Sequence, residues 1–213
     1  MKNLHKSAWA EIRTDNLKNN IALIRAQVPA RTALCAVLKA DAYGHGRVGM
    51  RRFLAENRLV DRFAVGKMSE LVRLTAAAGP GGPPTLLLGP VETDELEACL
   101  AGGRVNPDTT VFSVYSLRQF RELEALAERL SLRLTVHIRV DGWDSGMGLS
   151  YEEFLQNEDR LFPLSVWMSA GSTVISIRPI PAIWRGSPAN SNASMPSSGR
   201  SGLCTANGSP YTF

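Results

Sequence analysis

Residues Ala33-Leu34-Cys35-Ala36-Val37-Leu38 form a continuous apolar run, and the chain then turns polar and glycine-rich through Lys39-Ala40-Asp41-Ala42-Tyr43-Gly44-His45-Gly46. A short apolar run of this kind suits a strand buried on both faces. Similar short strands are predicted at 9–12, 63–65, 85–88 and 109–113. Residues 132–140 alternate as Leu132, Leu134, Val136, Ile138 and Val140, a period-two pattern that also predicts a strand. Between them run stripes at helical spacing: Leu17, Ile21, Ile24 and Val28; Val48, Met50, Phe53 and Leu54; Leu71, Val72 and Leu74; Leu117, Phe120, Leu123, Leu126 and Leu130. A further helix is predicted at 94–101. Thr14, Ser69 and Thr93 are the expected N-caps, a helix is expected to begin at Ser116, and Gly79 and Gly102-Gly103 are the expected stops. Ser150-Tyr151-Glu152-Glu153 fits a capping box. Strand and helix in alternation predict a parallel sheet of βαβ units; the pattern does not decide between an open sheet and a closed barrel.

After residue 160 this pattern fails. Ser, Gly, Pro, Asn and Thr dominate, and apolar islands such as Val174-Ile175 and Ile183-Trp184 have no period. Such a segment buries too little surface to offset its ordering entropy, so 161–213 is read as a disordered or non-native tail behind a 1–160 α/β portion.

Charge sharpens that boundary. All 20 acidic residues lie before position 161, and only Arg178, Arg185 and Arg200 carry charge after it. The net +4 therefore arises mostly in the tail and is no nucleic-acid footprint. Cys35, Cys99 and Cys204 are far apart and in no metal-ligand spacing, so neither zinc nor a disulfide framework is expected. The first six residues lack a signal-peptide core, and no apolar run is long enough to span a membrane. A cytoplasmic protein with reduced thiols is expected.

Candidate chemistry gathers at the 33–46 stretch. Lys39 stands where a buried strand ends and a flexible loop is expected, the end at which catalytic groups collect in parallel α/β folds. Against low-dielectric walls a lysine loses charge more easily and becomes a usable amine nucleophile. Gly44 and Gly46 let the backbone approach a ligand closely, and His45 is expected to order the loop.

The run Val37-Leu38-Lys39-Ala40-Asp41-Ala42-Tyr43-Gly44-His45-Gly46 resembles the pyridoxal-phosphate signature of alanine racemases. Ser7-Ala8-Trp9-Ala10-Glu11-Ile12 and Val140-Asp141 near Gly146-Met147-Gly148 resemble the same family, in the same order. The resemblance covers about residues 5–160. It implies part of a (β/α)8 TIM-type barrel, about five of whose strands are present, and a cytoplasmic isomerase that interconverts L- and D-alanine for peptidoglycan precursors. It implies pyridoxal phosphate held covalently by Lys39, which is also one base at the substrate Cα, with Tyr43 on the cofactor phosphate. The family's homodimer is doubtful for this chain.

The chain departs from the family in two places. Leu149 stands where an arginine that helps bind the substrate carboxylate would follow Gly-Met-Gly, and an apolar side chain pairs no carboxylate. Arg139 supplies a cation from a neighbouring position. Gly142-Trp143-Asp144 is what the family's Gly-Met-Gly codons yield one base out of frame, and loss of every acid after residue 160 suggests a further frame change. A nucleotide sequence whose alternative frame gives no racemase-like continuation there would overturn that reading. The family's second half supplies the opposite base, and Tyr211 in the unpatterned tail is not taken for it. The alternatives are a non-enzymatic fragment and a single-domain pyridoxal-phosphate carrier, and the lysine motif favours the racemases over the carriers.

Overall fold

Apolar runs and amphipathic stripes resolve into a singly wound βα structure. The computed structural model describes residues 11–78, 82–141, 147–157, 161, 166–169 and 172–175. Helix α1 (Thr14–Gln27) precedes β1 (Cys35–Val37), which leads into a short turn α2 (Lys39–Tyr43) and helix α3 (Arg47–Glu56). Then β2 (Arg62–Val65), α4 (Met68–Ala78), β3 (Thr85–Leu87), α5 (Thr93–Ala101), β4 (Thr110–Val114), α6 (Leu117–Arg129) and β5 (Thr135–Ile138) alternate. Helix α7 (Tyr151–Gln156) and two short strands, β6 (Val166–Ser169) and β7 (Ser172–Ile175), follow.

The sheet settles what periodicity left open. Its five strands are all parallel and lie in the order β1-β2-β3-β4-β5, so each strand pairs with its sequence neighbour. A doubly wound sheet reverses direction at a switch point. Among these five strands there is none, and crossovers that advance one way with a single hand place the helices on one face, as in a (β/α)8 barrel.

That helix-covered face is the core. Phe63 and Val65, Leu87, Phe112 and Val114, and Val136 and Ile138 alternate along β2–β5 and are buried against Leu71, Leu74, Leu96, Phe120, Leu123 and Leu126 of the helices. The opposite, concave face carries smaller or polar residues, among them Ala64, Ser113 and His137. Helix α6 follows its expected stripe throughout. In α1 only Leu17 and Ile21 pack on the core, and Ile24 is exposed, as is Val48 in α3.

Helix starts shift slightly. Ser116 caps α6 through the Gln119 amide, and Ser150 with Glu153 closes a full capping box on α7. Thr14 and Thr93, however, are already helical; their caps are Arg13 and Glu92, with no side-chain hydrogen bond. Helix α4 begins at Met68, ahead of Ser69. Strand β5 is shorter than the 132–140 pattern, and Val140 instead bridges Leu149. The antiparallel pair β6–β7 lies within the segment read as irregular; its β-branched Val166, Thr173, Val174 and Ile175 favour pleated backbone. Part of the strand expected at 9–12, the stop at Gly79 and the tail beyond 175 lie outside the described residues.

Phe112 is fully buried on β4, between β3 and β5. Phe112→Ala is expected to lower the unfolding free energy by about 3–5 kcal/mol, from lost transfer energy plus a cavity. Chemical denaturation followed by circular dichroism checks this, and a loss below about 1 kcal/mol contradicts the core assignment.

Candidate functional site

The C-terminal ends of the parallel strands form one rim, and Lys39 stands on it two residues beyond the end of β1. The backbone that follows is not the flexible loop its composition suggests. Ala40, Asp41, Ala42 and Tyr43 have φ of 50°, 56°, 54° and 54°, and the first three have ψ of 43–46°. These values are those of a left-handed helix. For L-residues each costs roughly 1–2 kcal/mol, and such strain persists only where surrounding contacts over-determine it.

Those contacts are present. The Ala42 amide donates to the Leu38 carbonyl at 3.0 Å and the Gly46 amide to the Asp41 carbonyl at 3.0 Å. The Asp41 carboxylate accepts from the Arg47 amide at 2.9 Å. His45 Nδ1 donates to the Ala42 carbonyl at 2.8 Å, the loop-ordering role expected of it. Gly44 and Gly46, at φ 85° and 84°, complete the turn where a side chain would add further strain.

A carboxylate that sequence reasoning missed ties the turn to the sheet. Glu70, in the first turn of α4, accepts from the Ala40 amide at 2.8 Å and the Gly66 amide at 2.8 Å. It also accepts from Arg47 Nη2 at 3.0 Å, while Arg47 Nε donates to the Leu38 carbonyl at 3.1 Å. The two paired side chains are only 8% and 12% exposed. Burial opposes ionisation of Glu70, yet the Gly66 and Ala40 amides and Arg47 outweigh it and hold its carboxyl below the ordinary glutamate range. An acid in a helix's first turn looks like routine dipole compensation, which hid Glu70. Arg47 left a signal: a cation opening a helix opposes the dipole, so something else must hold it.

Around Lys39 the rim is bare. A Cβ on Gly66 would lie 3.4 Å from Lys39 Cβ, and one on Gly89 would lie 2.3 Å from the Gly66 carbonyl oxygen. Lys39 and Tyr43 are both exposed, so low-dielectric walls do not enclose the lysine. Farther along, Tyr115 donates its hydroxyl to the Leu88 carbonyl, and the Arg139 guanidinium lies 5.9 Å from the Tyr115 ring centre. Leu149 is 1% exposed and belongs to the core, so its side chain fills packing space rather than facing the rim. Gly142-Trp143-Asp144 lie outside the described residues.

Two other regions are distinct from the rim. An open cleft of about 450 Å³ runs between α1 and β1, lined by Leu17, Ala36, Val37, Leu38 and His45 among others, but not by Lys39 or Tyr43. On the concave face burial, with Arg62 nearby, lowers the His137 pKa to about 4, so this imidazole is neutral at neutral pH. Cys35 is exposed, and partial desolvation of its thiol pushes its pKa up against the pull of Arg62. Among the described residues no group of three or more His, Cys, Asp or Glu side chains is gathered as a metal site, and no helix is long and apolar enough to cross a membrane.

The depressed Glu70 value carries a sign. The folded state binds the Glu70 proton more weakly than the unfolded chain does, so its contribution to stability is full well above the ordinary glutamate pKa of about 4.3. It is lost as pH falls through the lower folded value. The stability difference between the parent and Glu70→Gln is therefore expected to be constant near neutrality and to shrink steadily below about pH 4. Urea titrations across that range check this; a difference independent of pH contradicts an ionised Glu70.

Comparison with known proteins agrees with this geometry. The family described as alanine racemase, N-terminal domain, matches residues 12–164. An alanine racemase of Methanococcus maripaludis is 35% identical over 145 residues, covering 68% of this chain and 36% of that protein. The solved alanine racemase of Clostridium difficile 630 superposes with a TM-score of 0.63 at 27% identity, covering 75% of this chain and 40% of that one. The alanine racemase from Bartonella henselae, solved with covalently bound pyridoxal phosphate, shares the fold at a TM-score of 0.57 and 21% identity, covering 70% of this chain and 39% of that one. The chain spans well under half the length of these relatives. With the sequentially wound parallel sheet, the lysine at the end of β1 and a family match over residues 12–164, the chain belongs to the alanine racemase N-terminal domain family.

Proposed function

We propose that this chain is the cofactor-carrying portion of an amino-acid racemase, an isomerase that interconverts L- and D-alanine with pyridoxal phosphate. The observation that supports it most is the position of Lys39 on the rim, ahead of a rigid turn and opposite a glycine that leaves its side chain room. The residues present fit the cofactor: a primary amine to hold it covalently, a phenol four positions on for its phosphate, and bare backbone at Gly66 and Gly89. Pyridoxal phosphate, when bound, supplies an electron sink for negative charge at the amino acid's Cα. Lys39 would anchor it and exchange a proton with one face of that carbon; Tyr43 would donate its hydroxyl to the phosphate. The same reading carries the family's cytoplasmic role in D-alanine supply for the cell wall.

Racemisation needs a second base on the opposite face. Among the described residues none is placed for it, Tyr211 lies outside them, and Leu149 is committed to the core. That burial favours, as a second reading, a chain that carries the cofactor without turning over substrate.

Lys39→Ala is expected to remove the dominant borohydride-reducible pyridoxal-phosphate adduct, mapped by peptide mass spectrometry, and to leave only background labelling of exposed lysines such as Lys18. Tyr43→Phe should keep the adduct and weaken cofactor binding by about 1 kcal/mol, the net worth of one hydrogen bond. Reducible cofactor uptake in Lys39→Ala at the parent's level would remove Lys39 from the reading. In an alanine racemisation assay read by a D-amino-acid oxidase, the purified chain should match free pyridoxal phosphate. Turnover well above that level, lost in Lys39→Ala, would reject the carrier reading and establish a complete racemase site.

A further inference from the structure

We propose that Glu70, working with Arg47, is a positioning residue for Lys39. The proposal rests on the reading of Lys39 as the cofactor lysine. Glu70 does not act on a substrate; it acts through the backbone on both sides of the lysine's surroundings. Its Oε1 holds the Ala40 amide, which belongs to the peptide bond immediately after Lys39. Its Oε2 holds the Gly66 amide, at the end of the adjacent strand, against which the lysine stem lies. Arg47 shares Oε1 and reaches back to the Leu38 carbonyl, the residue immediately before Lys39. One carboxylate and one guanidinium thus fix the peptides before and after the lysine and the glycine facing it.

The arrangement demands a carboxylate rather than any polar group. Two amides and a guanidinium are all donors, and two acceptor oxygens satisfy them together. Glutamine presents one oxygen and one amino group, so it leaves a backbone donor facing another donor. Aspartate is one methylene shorter and cannot span from Gly66 to Ala40 without moving the helix. The strained turn sharpens the consequence. Four consecutive non-glycine residues at positive φ relax once their anchor at Ala40 is gone, and the lysine direction relaxes with them.

The test uses the full 213-residue chain as parent, Glu70→Gln and Arg47→Met. Pyridoxal phosphate with borohydride traps exposed lysines, and mass mapping gives the ratio of labelling at Lys39 to that at Lys18, an exposed lysine on α1. Amide hydrogen exchange is followed over the turn and over β3–β5. In Glu70→Gln the labelling ratio should fall about tenfold and the turn amides exchange about tenfold faster, while β3–β5 keep the parent's protection. Arg47→Met, which leaves both amide contacts, should show about a threefold effect in both readouts. A Glu70→Gln chain with the parent's ratio and turn protection overturns the proposal. So does a loss of protection spread equally over all strands, which marks Glu70 as a general stability residue. Should Glu70→Gln fail to fold, Arg47→Met decides: unchanged turn exchange and labelling reject the proposal. A parent without preference for Lys39 would reject the cofactor reading instead, and turn exchange would still judge whether Glu70 holds the backbone.

Discussion

The carboxylate of Glu70 ties the segment that follows β1 to the end of β2. It meets Ala40 in the turn after β1, Gly66 directly after β2 and the first residue of α3 at hydrogen-bond distance. A buried acid is costly unless its charge and its lone pairs are both answered. Here two backbone amides and a guanidinium answer them, and in return the acid holds a turn that L-residues adopt only under constraint. The rim geometry around Lys39 follows from this exchange. Without the sheet behind it, the turn has no reason to stay left-handed; without the turn, Lys39 has no defined direction.

The sheet makes that exchange possible by being strictly sequential. Parallel neighbours in chain order bring every strand end to the same rim, so Lys39, Gly66, Gly89, Tyr115 and Arg139 become neighbours along an edge although they span a hundred residues. The helix-covered face does the stabilising, through Phe63, Phe112, Phe120 and the leucines around them. The rim is then free to hold bare glycines, an exposed lysine and strained backbone. Leu149 marks the division between the two regions. It sits one residue beyond a glycine pressed against the Arg139 carbonyl and drops its side chain into the core.

The polar and charged residues of the concave face add a second environment. Arg62 lies near both Cys35 and His137, and with burial it keeps His137 neutral well below the usual imidazole range. This environment is separate from the Glu70 network, which answers its own charges.

Much of this was determined by sequence alone. Periodicity of 2 and of 3.6 is imposed by strand and helix geometry, so β2, β4, α3 and α6 were legible from their apolar positions, and Ser150 from its capping box. The lysine motif was legible because it is long and contiguous. Helix starts at α1, α4 and α5 were off by one or two residues, because backbone geometry rather than a hydroxyl decides them there. Only the tertiary structure decided the rest. The choice of a singly wound sheet depends on which strands pair, and the core role of Leu149 on which way a side chain points after a bridge. The left-handed turn is opposed by every local preference of Ala40, Asp41, Ala42 and Tyr43, so no local pattern can announce it. Among the contacts that hold it is one from Glu70, thirty residues away, to the Ala40 amide, and a contact between distant residues leaves no period in the sequence.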